Sequence, residues 1–439
     1  MRYFIFFILI YAAAFSYAQT TNSKDEEGYI LFSPITNKNV YLIDKCGNLI
    51  NSWQTDRIPG QATYLLENGS LIRAGHDLSP FYNIGGKGGY IEQFDWYNNK
   101  IWSFKLSDYD NCLHHDFKVL KNGNILALVW SEVRPLTKVI EMGRNPALNS
   151  TWVLTEKVVE IQPLGKDSGK IIWEWDLFDH LIQDFDSTKS NYGIIRNHPE
   201  LVNINYVQEI APNWVHINSI DYNENLDQIL LSARLFSEIW VIDHSTTSVE
   251  AKGHTGGKYG RGGDLLYRWG NTRAYNRGDT TNQQFFFQHD AKWIKSGFKH
   301  EGKILVFNNG LNRPDGKYST INIISPPINI NTHTYSIDNI NPFLPVKPDW
   351  TYKLPTEFYS SYLSGVQPLK NGGYLICSGT NGIFFEIDSL QHKVWEYTNA
   401  VIPFGVKTIA DSSKNNNVYK CSFYYPDFRG FKGKNLKEE

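Results

Sequence analysis

Short apolar runs closed by polar turns recur along most of the chain, with the spacing of strands and not of helices. The phrase Leu66-Glu67-Asn68-Gly69-Ser70-Leu71 returns as Leu120-Lys121-Asn122-Gly123-Asn124-Ile125 and again as Leu369-Lys370-Asn371-Gly372-Gly373-Tyr374. Each is an Asn-Gly turn between apolar runs, a strong hairpin signal. Degenerate copies stand at Tyr222-Asn223-Glu224-Asn225 and Lys295-Ser296-Gly297. After each turn the pattern predicts an apolar strand, a second strand, and a third that often carries tryptophan. One unit runs through 125–129, 158–161 and 170–175; another through 373–377, 383–387 and 393–397. Further third strands fall at 101–104, 266–269 and 349–352. A sixth unit, 29–32, 40–43 and 49–53, lacks a leading strand, which the β-rich run 418–424 can supply. Such closure removes the exposed edges of an open array.

The pattern therefore predicts an all-β, six-bladed β-propeller over 29–425, its ring closed by a C-terminal strand in the first blade. The third-strand aromatics are expected to pack blade against blade. Residues 19–28 form an N-terminal segment and 426–439 a C-terminal tail. A polar, helix-tending stretch at about 176–212, containing Asn197-His198-Pro199-Glu200-Leu201, is expected to lie over one face as a lid-like insertion.

The first residues change the cellular picture. Met1-Arg2-Tyr3, an apolar run over 4–15 and small residues before a cut after Ala18 read as a signal peptide over 1–18. The expected location is periplasmic or secreted, and no later segment is long and apolar enough to cross a bilayer. Export permits disulfides, and Cys46, Cys112, Cys377 and Cys421 are too far apart for a zinc-type CxxC pair. Cys46 and Cys421 would share a sheet and are the first pair to test, with unpaired thiols as the open alternative. A formal charge of −2 argues against a nucleic-acid partner. Gly-rich stretches at 85–89 and 256–260 lack the strand-turn-helix context of a phosphate loop; they read as hairpin tips and imply no nucleotide cofactor.

Three histidines depart from the strand pattern in register. His115, His216 and His289 superpose when their repeats are aligned, each on a first strand, where a propeller lines its central channel. Gln61 and Ser364 hold the equivalent position in two other blades. Desolvating three titratable rings together is costly unless they share a ligand or a function. A metal is the obvious competitor, with Asp116 and Asp290 as extra donors. In an alternating strand those carboxylates point away from the channel, toward backbone or a neighbouring blade. Arg234 interrupts the apolar run 229–235, 18 residues after His216, and supplies a planar cation suited to sulfate, phosphate or carboxylate.

At these residues the chain resembles the bacterial aryl-sulfate sulfotransferases, exported enzymes that use no nucleotide sulfate donor. The resemblance rests on His114-His115-Asp116, Trp214-Val215-His216-Ile217-Asn218-Ser219-Ile220, Ser232-Ala233-Arg234, Phe287-Gln288-His289-Asp290 and Phe307-Asn308-Asn309-Gly310. It implies a six-bladed propeller that moves a sulfuryl group from an aryl sulfate to a phenol in ping-pong fashion. His289 would carry the group; Arg234, His216 and His115 would bind its oxygens and manage protons. His115 is preferred to His114 because it alone aligns with His289. His114, Asn218, Gln61 and Ser364 are candidates for substrate binding. The resemblance implies no metal and no cofactor; the partners are a small aryl sulfate and a phenol. Some members dimerise through an N-terminal domain that the stretch before Tyr29 is too short to encode, so the oligomeric state stays open. Two other readings use the same residues: a non-catalytic propeller binding an anionic ligand or a partner protein, and a metal-dependent hydrolase.

Overall fold

The computed structural model describes residues 18–437 apart from 21–25, 80–81, 134–136, 149–152, 208–212, 330, 403–404 and 407–415. The body of the expected signal peptide, 1–17, lies outside the described residues.

Six antiparallel sheets follow one another around an axis. Their inner strands are Val418–Tyr424, Pro59–Leu65, Asn111–Val119, Ile217–Asn223, His289–Trp293 and Gly365–Pro368 in blades one to six. Each inner strand touches those of the two flanking blades, so the ring is continuous. Blade one is closed as the pattern predicts: Val418–Tyr424 pairs antiparallel with Tyr29–Pro34, Cys421 opposite Phe32 and Tyr424 opposite Tyr29. Ala18–Thr20 adds a fifth strand to the outer edge of blade six, beside Lys393–Thr398. Among the described residues no helix is long and apolar enough to cross a membrane.

The tryptophans of the outermost strands do more than fill space. An indole has one donor and no acceptor, so when buried it needs a carbonyl or its equivalent. Trp53 Nε1 donates to the Asp95 carbonyl of the next blade at 2.8 Å, Trp102 to Ser168 at 2.9 Å, Trp175 to Gly263 at 2.7 Å and Trp269 to Pro345 at 2.6 Å. Trp395 completes the circuit by donating to Lys45 of blade one at 2.7 Å. Blade five uses a ring contact instead, Trp350 stacking on Tyr374 of blade six.

The insertion joins the outer strand of blade three to the inner strand of blade four. It is built from short 3-10 turns, Leu177–His180 and Ile195–Asn197, and a parallel pair, Leu181–Ile182 with Val202–Asn203. Leu177, Leu181, Ile182, Ile195, Val202 and Ile204 are buried in one cluster with Trp175 and Trp214. Buried arginines tie its backbone down. Arg268 is paired with Glu238 at 3.0 Å and also donates to the Leu201 carbonyl at 2.9 Å; Arg277 donates to the Arg196 carbonyl at 2.7 Å.

Two expectations need correction. Cys46 and Cys421 are not bonded to each other: Cys46 is exposed in the turn after Val40–Asp44 and Cys421 lies on the inner strand. Sharing a sheet does not bring them together, because the Tyr29–Pro34 strand lies between that of Cys421 and the one that ends before Cys46. Cys421 instead meets Cys377 of blade six, whose thiol is pushed up by burial and by this neighbour. The glycines at 85–89 are not a mere hairpin tip either. Gly88 N donates to the Leu113 carbonyl at 2.9 Å, and the Gly86 carbonyl accepts from His115 N at 2.8 Å. A Cβ on Gly86, where φ is +95°, would sit 1.9 Å from the His115 ring, so glycine is what admits the imidazole.

Candidate active site

The inner strands lose their alternation where the histidines fall. Register slips occur within His289–Lys292 and Ile217–Ile220, opposite His115, and within Pro59–Thr63. Left-handed backbone marks the same places: Gln61 at φ 98°, His115 at 46°, His216 at 58°, Asp290 at 54° and Ser364 at 85°. Such bulges re-aim side chains. That is why Asp116 and Asp290, expected to turn away from the channel, line a channel cavity as well as binding neighbouring blades. Asp290 Oδ2 accepts from Val366 N of blade six at 2.9 Å.

His115 and His216 are in ring contact, their centroids 4.6 Å apart, and both feel the charge of His289 and Arg234. His115 and His289 are buried, and His216 is partly buried beside them. Burial first and then Arg234 push His289 down to about 3; burial first, then the neighbouring histidine rings and Arg234, put His115 and His216 well below the usual histidine range. All three rings are therefore neutral at physiological pH.

Their hydrogen-bond partners fix which nitrogen is which. Asn309 Nδ2 donates to the carbonyls of Ser360 at 2.8 Å and Leu363 at 2.9 Å, so its Oδ1, 2.7 Å from His289 Nδ1, is the acceptor. His289 Nδ1 then carries the hydrogen, and Nε2 presents a lone pair. His216 is set the other way. Asn213 Oδ1 accepts from His216 N at 3.0 Å, so Asn213 Nδ2, 2.8 Å from His216 Nδ1, is the donor. His216 Nε2 is therefore an N–H donor.

His114 does not face the channel but lies behind His115. Its ring stacks on Trp130 with centroids 4.2 Å apart, its Nδ1 is 2.9 Å from His115 Nδ1, and its Nε2 is 3.0 Å from Glu156 Oε2. Burial pushes Glu156 well above the usual carboxylate range. Glu156, Trp130, Asn213 and Asn309 were missed from sequence because each lies on an outer strand or loop and reaches the histidines only through the tertiary fold. Asn309 alone had a local signal, standing in a matched phrase.

Of the remaining candidates, Asn218 and Ser364 brace the frame. Arg234 follows the end of Gln228–Ala233, its guanidinium 4.8 Å from the Phe287 ring centre. Asn218 Nδ2 donates to the Gln288 carbonyl at 2.8 Å, bracing blade four against blade five. Ser364 is engaged inside blade six, donating to Ser360 Oγ at 2.8 Å and accepting from Gly379 N at 2.9 Å. Gln61 Oε1 is buried without a hydrogen-bond partner.

Further along the same strands lies a second set of charges. Lys420 of blade one reaches Asp116 at 2.8 Å and Asp290 at 3.3 Å, while Lys292 meets Asp290 at 2.8 Å and Lys118 pairs with Asp221. A cavity of 350 Å³ opens here, lined also by Lys295 and Trp293.

No curated protein matches the chain. Among solved structures, a protein of unknown function from Bacteroides caccae aligns with TM-score 0.46 and 10% identity, covering 90% of this chain and 98% of that one. A streptogramin B lyase aligns with TM-score 0.40, 10% identity and 87% coverage of both chains. A putative 6-phosphogluconolactonase from Bacteroides fragilis aligns with TM-score 0.38 and 8% identity, covering 92% of this chain and 99% of that one. All three scores lie below 0.5, so the fold rests on the six sheets themselves. The arylsulfotransferase (ASST) family model matches residues 15–420, which hold every blade and every histidine of the channel, and the chain belongs to that family.

Proposed function

We propose that this arylsulfotransferase-family protein moves a sulfuryl group from an aryl sulfate to a phenol through a sulfohistidine at His289. The opposed tautomers carry the reading: His289 offers a lone pair at Nε2 while His216 offers a hydrogen. In the first half-reaction His289 Nε2 bonds to sulfur and the sulfur–oxygen bond to the aryl group breaks. The ring gains positive charge, which Asn309 Oδ1 stabilises by accepting the Nδ1 hydrogen. Charge on the peripheral oxygens falls to Arg234 and the His216 Nε2–H, donors fixed before the reaction.

The departing phenolate needs a proton, since a free phenol has a pKa of about 10. The chain Glu156–His114–His115 supplies one without forming a lasting imidazolium. Glu156, held protonated by burial, gives its proton to His114 Nε2 once these atoms, 3.0 Å apart but out of hydrogen-bond alignment at rest, come into line; His114 Nδ1 passes one to His115 Nδ1; His115 Nε2 releases one to the phenolate. Glu156 ends as carboxylate. The incoming phenol runs the relay backward as its oxygen attacks sulfur and the nitrogen–sulfur bond breaks. The exported location expected from 1–18 would put such a reaction outside the cytoplasm.

Intact mass after mixing with nitrophenyl sulfate alone tests this. The expected result is one sulfuryl adduct, mapped to His289, absent in His289→Asn and discharged by added phenol. Tight binding with no adduct and no turnover would leave a binding protein. Activity abolished by chelators, with no adduct formed, would point to a hydrolase using the channel histidines.

A further inference from the structure

A second histidine cluster lies outside the channel. His180 ends the first 3-10 turn of the insertion; His254 and Asp264 come from the long connection between Glu238–Asp243 and Tyr267–Trp269 of blade four. Their donor atoms lie within 4.8 Å of one another, the one such His/Cys/Asp/Glu grouping found among the described residues. Asp264 Oδ1 is 2.8 Å from His180 Nδ1 and 2.8 Å from His254 Nδ1.

The accounting of hydrogens is what makes this a site. His180 is fully buried, and its Nε2 lies 2.8 Å from the Ala251 carbonyl, which can only accept. Nε2 therefore carries the hydrogen, and in the neutral ring Nδ1 aims a lone pair at a carboxylate oxygen. Two acceptors at that separation need a proton or a metal ion between them, and the second imidazole on the same oxygen brings three ligand atoms together. A ring N–H held by a backbone carbonyl is also the usual brace of a metal-binding imidazole. The brace is itself supported: Trp175 stacks on His180 at an interplanar angle of 3° and donates to the Gly263 carbonyl. A Cβ on Gly263 would fall 2.5 Å from His180 Nε2, so the loop is shaped to the ring.

We propose that His180, His254 and Asp264 bind a divalent cation of the zinc class, stapling the insertion to blade four. Two imidazoles and one carboxylate suit zinc, which binds such donors at about 2.0–2.2 Å. Tetrahedral donors at that radius stand about 3.4 Å apart, so both contacts to Asp264 Oδ1 open by roughly 0.6 Å on binding and the carboxylate shifts along with His254. His254 is exposed and flanked by Gly253, Gly256 and Gly257, so it is the member placed to move. Three protein donors leave one position for water.

The test uses the untagged chain, stripped by chelation and titrated with zinc chloride. Calorimetry and elemental analysis are expected to show one zinc per chain, and at a hundredfold excess over Kd melting should rise by roughly 4 °C. Cobalt should give the visible absorption of a four-coordinate ion. His254→Ala removes an exposed donor and its edge contact with His180; it should lose both signals while the stripped chain stays folded. Asp264→Asn should also lose them. Equal zinc binding by the wild type and His254→Ala, or none by either, would overturn the proposal and leave a proton-bridged cluster.

Discussion

The two ends of the axial channel are made by the same strands, in places by adjacent residues, and they are opposite in kind. At one end His115, His216 and His289 are neutral, each with one nitrogen fixed by a polar neighbour. At the other end Asp116, Asp221 and Asp290 are met by Lys420, Lys118 and Lys292. The charged end holds a cavity, but each of these carboxylates is met by an ammonium. The histidine end leaves Nε2 of His289 outside the hydrogen bond to Asn309. A wide opening lined by charge is therefore a poor guide to chemistry here; an uncommitted atom is a better one. The contrast arises at the bulges, where a shift by one residue sends His289 and Asp290 to different neighbourhoods.

The largest way to break the comparison is to unbalance the charged end. Lys420→Met leaves Asp116 and Asp290 buried without their shared cation, and loss of one partner of a buried pair costs about 3–5 kcal/mol. Equilibrium denaturation should show that loss. Turnover per folded molecule should change far less, and equal damage to both would mean that the two ends are one site.

Asn309→Ala sharpens the histidine end. It removes the acceptor that holds the Nδ1 hydrogen, so the His289 ring is free to present either nitrogen. Loss of such an orienting partner is expected to lower kcat about 10–100-fold with KM little changed. Stopped-flow release of nitrophenol measures it. A mutant with wild-type kcat would mean that the tautomer is set elsewhere.

The smallest effect is on stability against pH. The folded pKa of His289 is depressed from 6.5 to about 3, so its contribution is present above 6.5 and lost as pH falls toward 3. Its share is about 2 kcal/mol between pH 6.5 and pH 5, and His115 and His216 act in the same direction. His244 runs the other way. Burial opposes its charge, but hydrogen bonds to Asp227 and Glu160 raise it to about 9, so it stabilises below 6.5 and that support is lost as pH rises through 9. Denaturation at pH 5, 7 and 9 should therefore give a maximum near neutrality, and unchanged stability at pH 5 would mean that the channel rings already carry protons.

The blades were legible because hairpin turns and apolar alternation are local properties. Asn68-Gly69, Asn122-Gly123 and Asn371-Gly372 each mark a turn by themselves, and the missing strand of one unit matched the spare run at 418–424. The register of His115, His216 and His289 was legible for the same reason, since a repeat places equivalent residues without coordinates. What each imidazole can do was not. The tautomer of His289 depends on Asn309 and that of His216 on Asn213. The relay behind His115 depends on Glu156, which stands on a different strand. Likewise a two-fold alternation sends Asp290 outward, and only the bulge beside it turns that side chain into the channel. Cys46 and Cys421 show the same divide, since shared membership of a sheet says nothing about the strands between. Local sequence determined the strands and their order; the protonation and direction of the working side chains are set by neighbours that only folding brings within 3 Å.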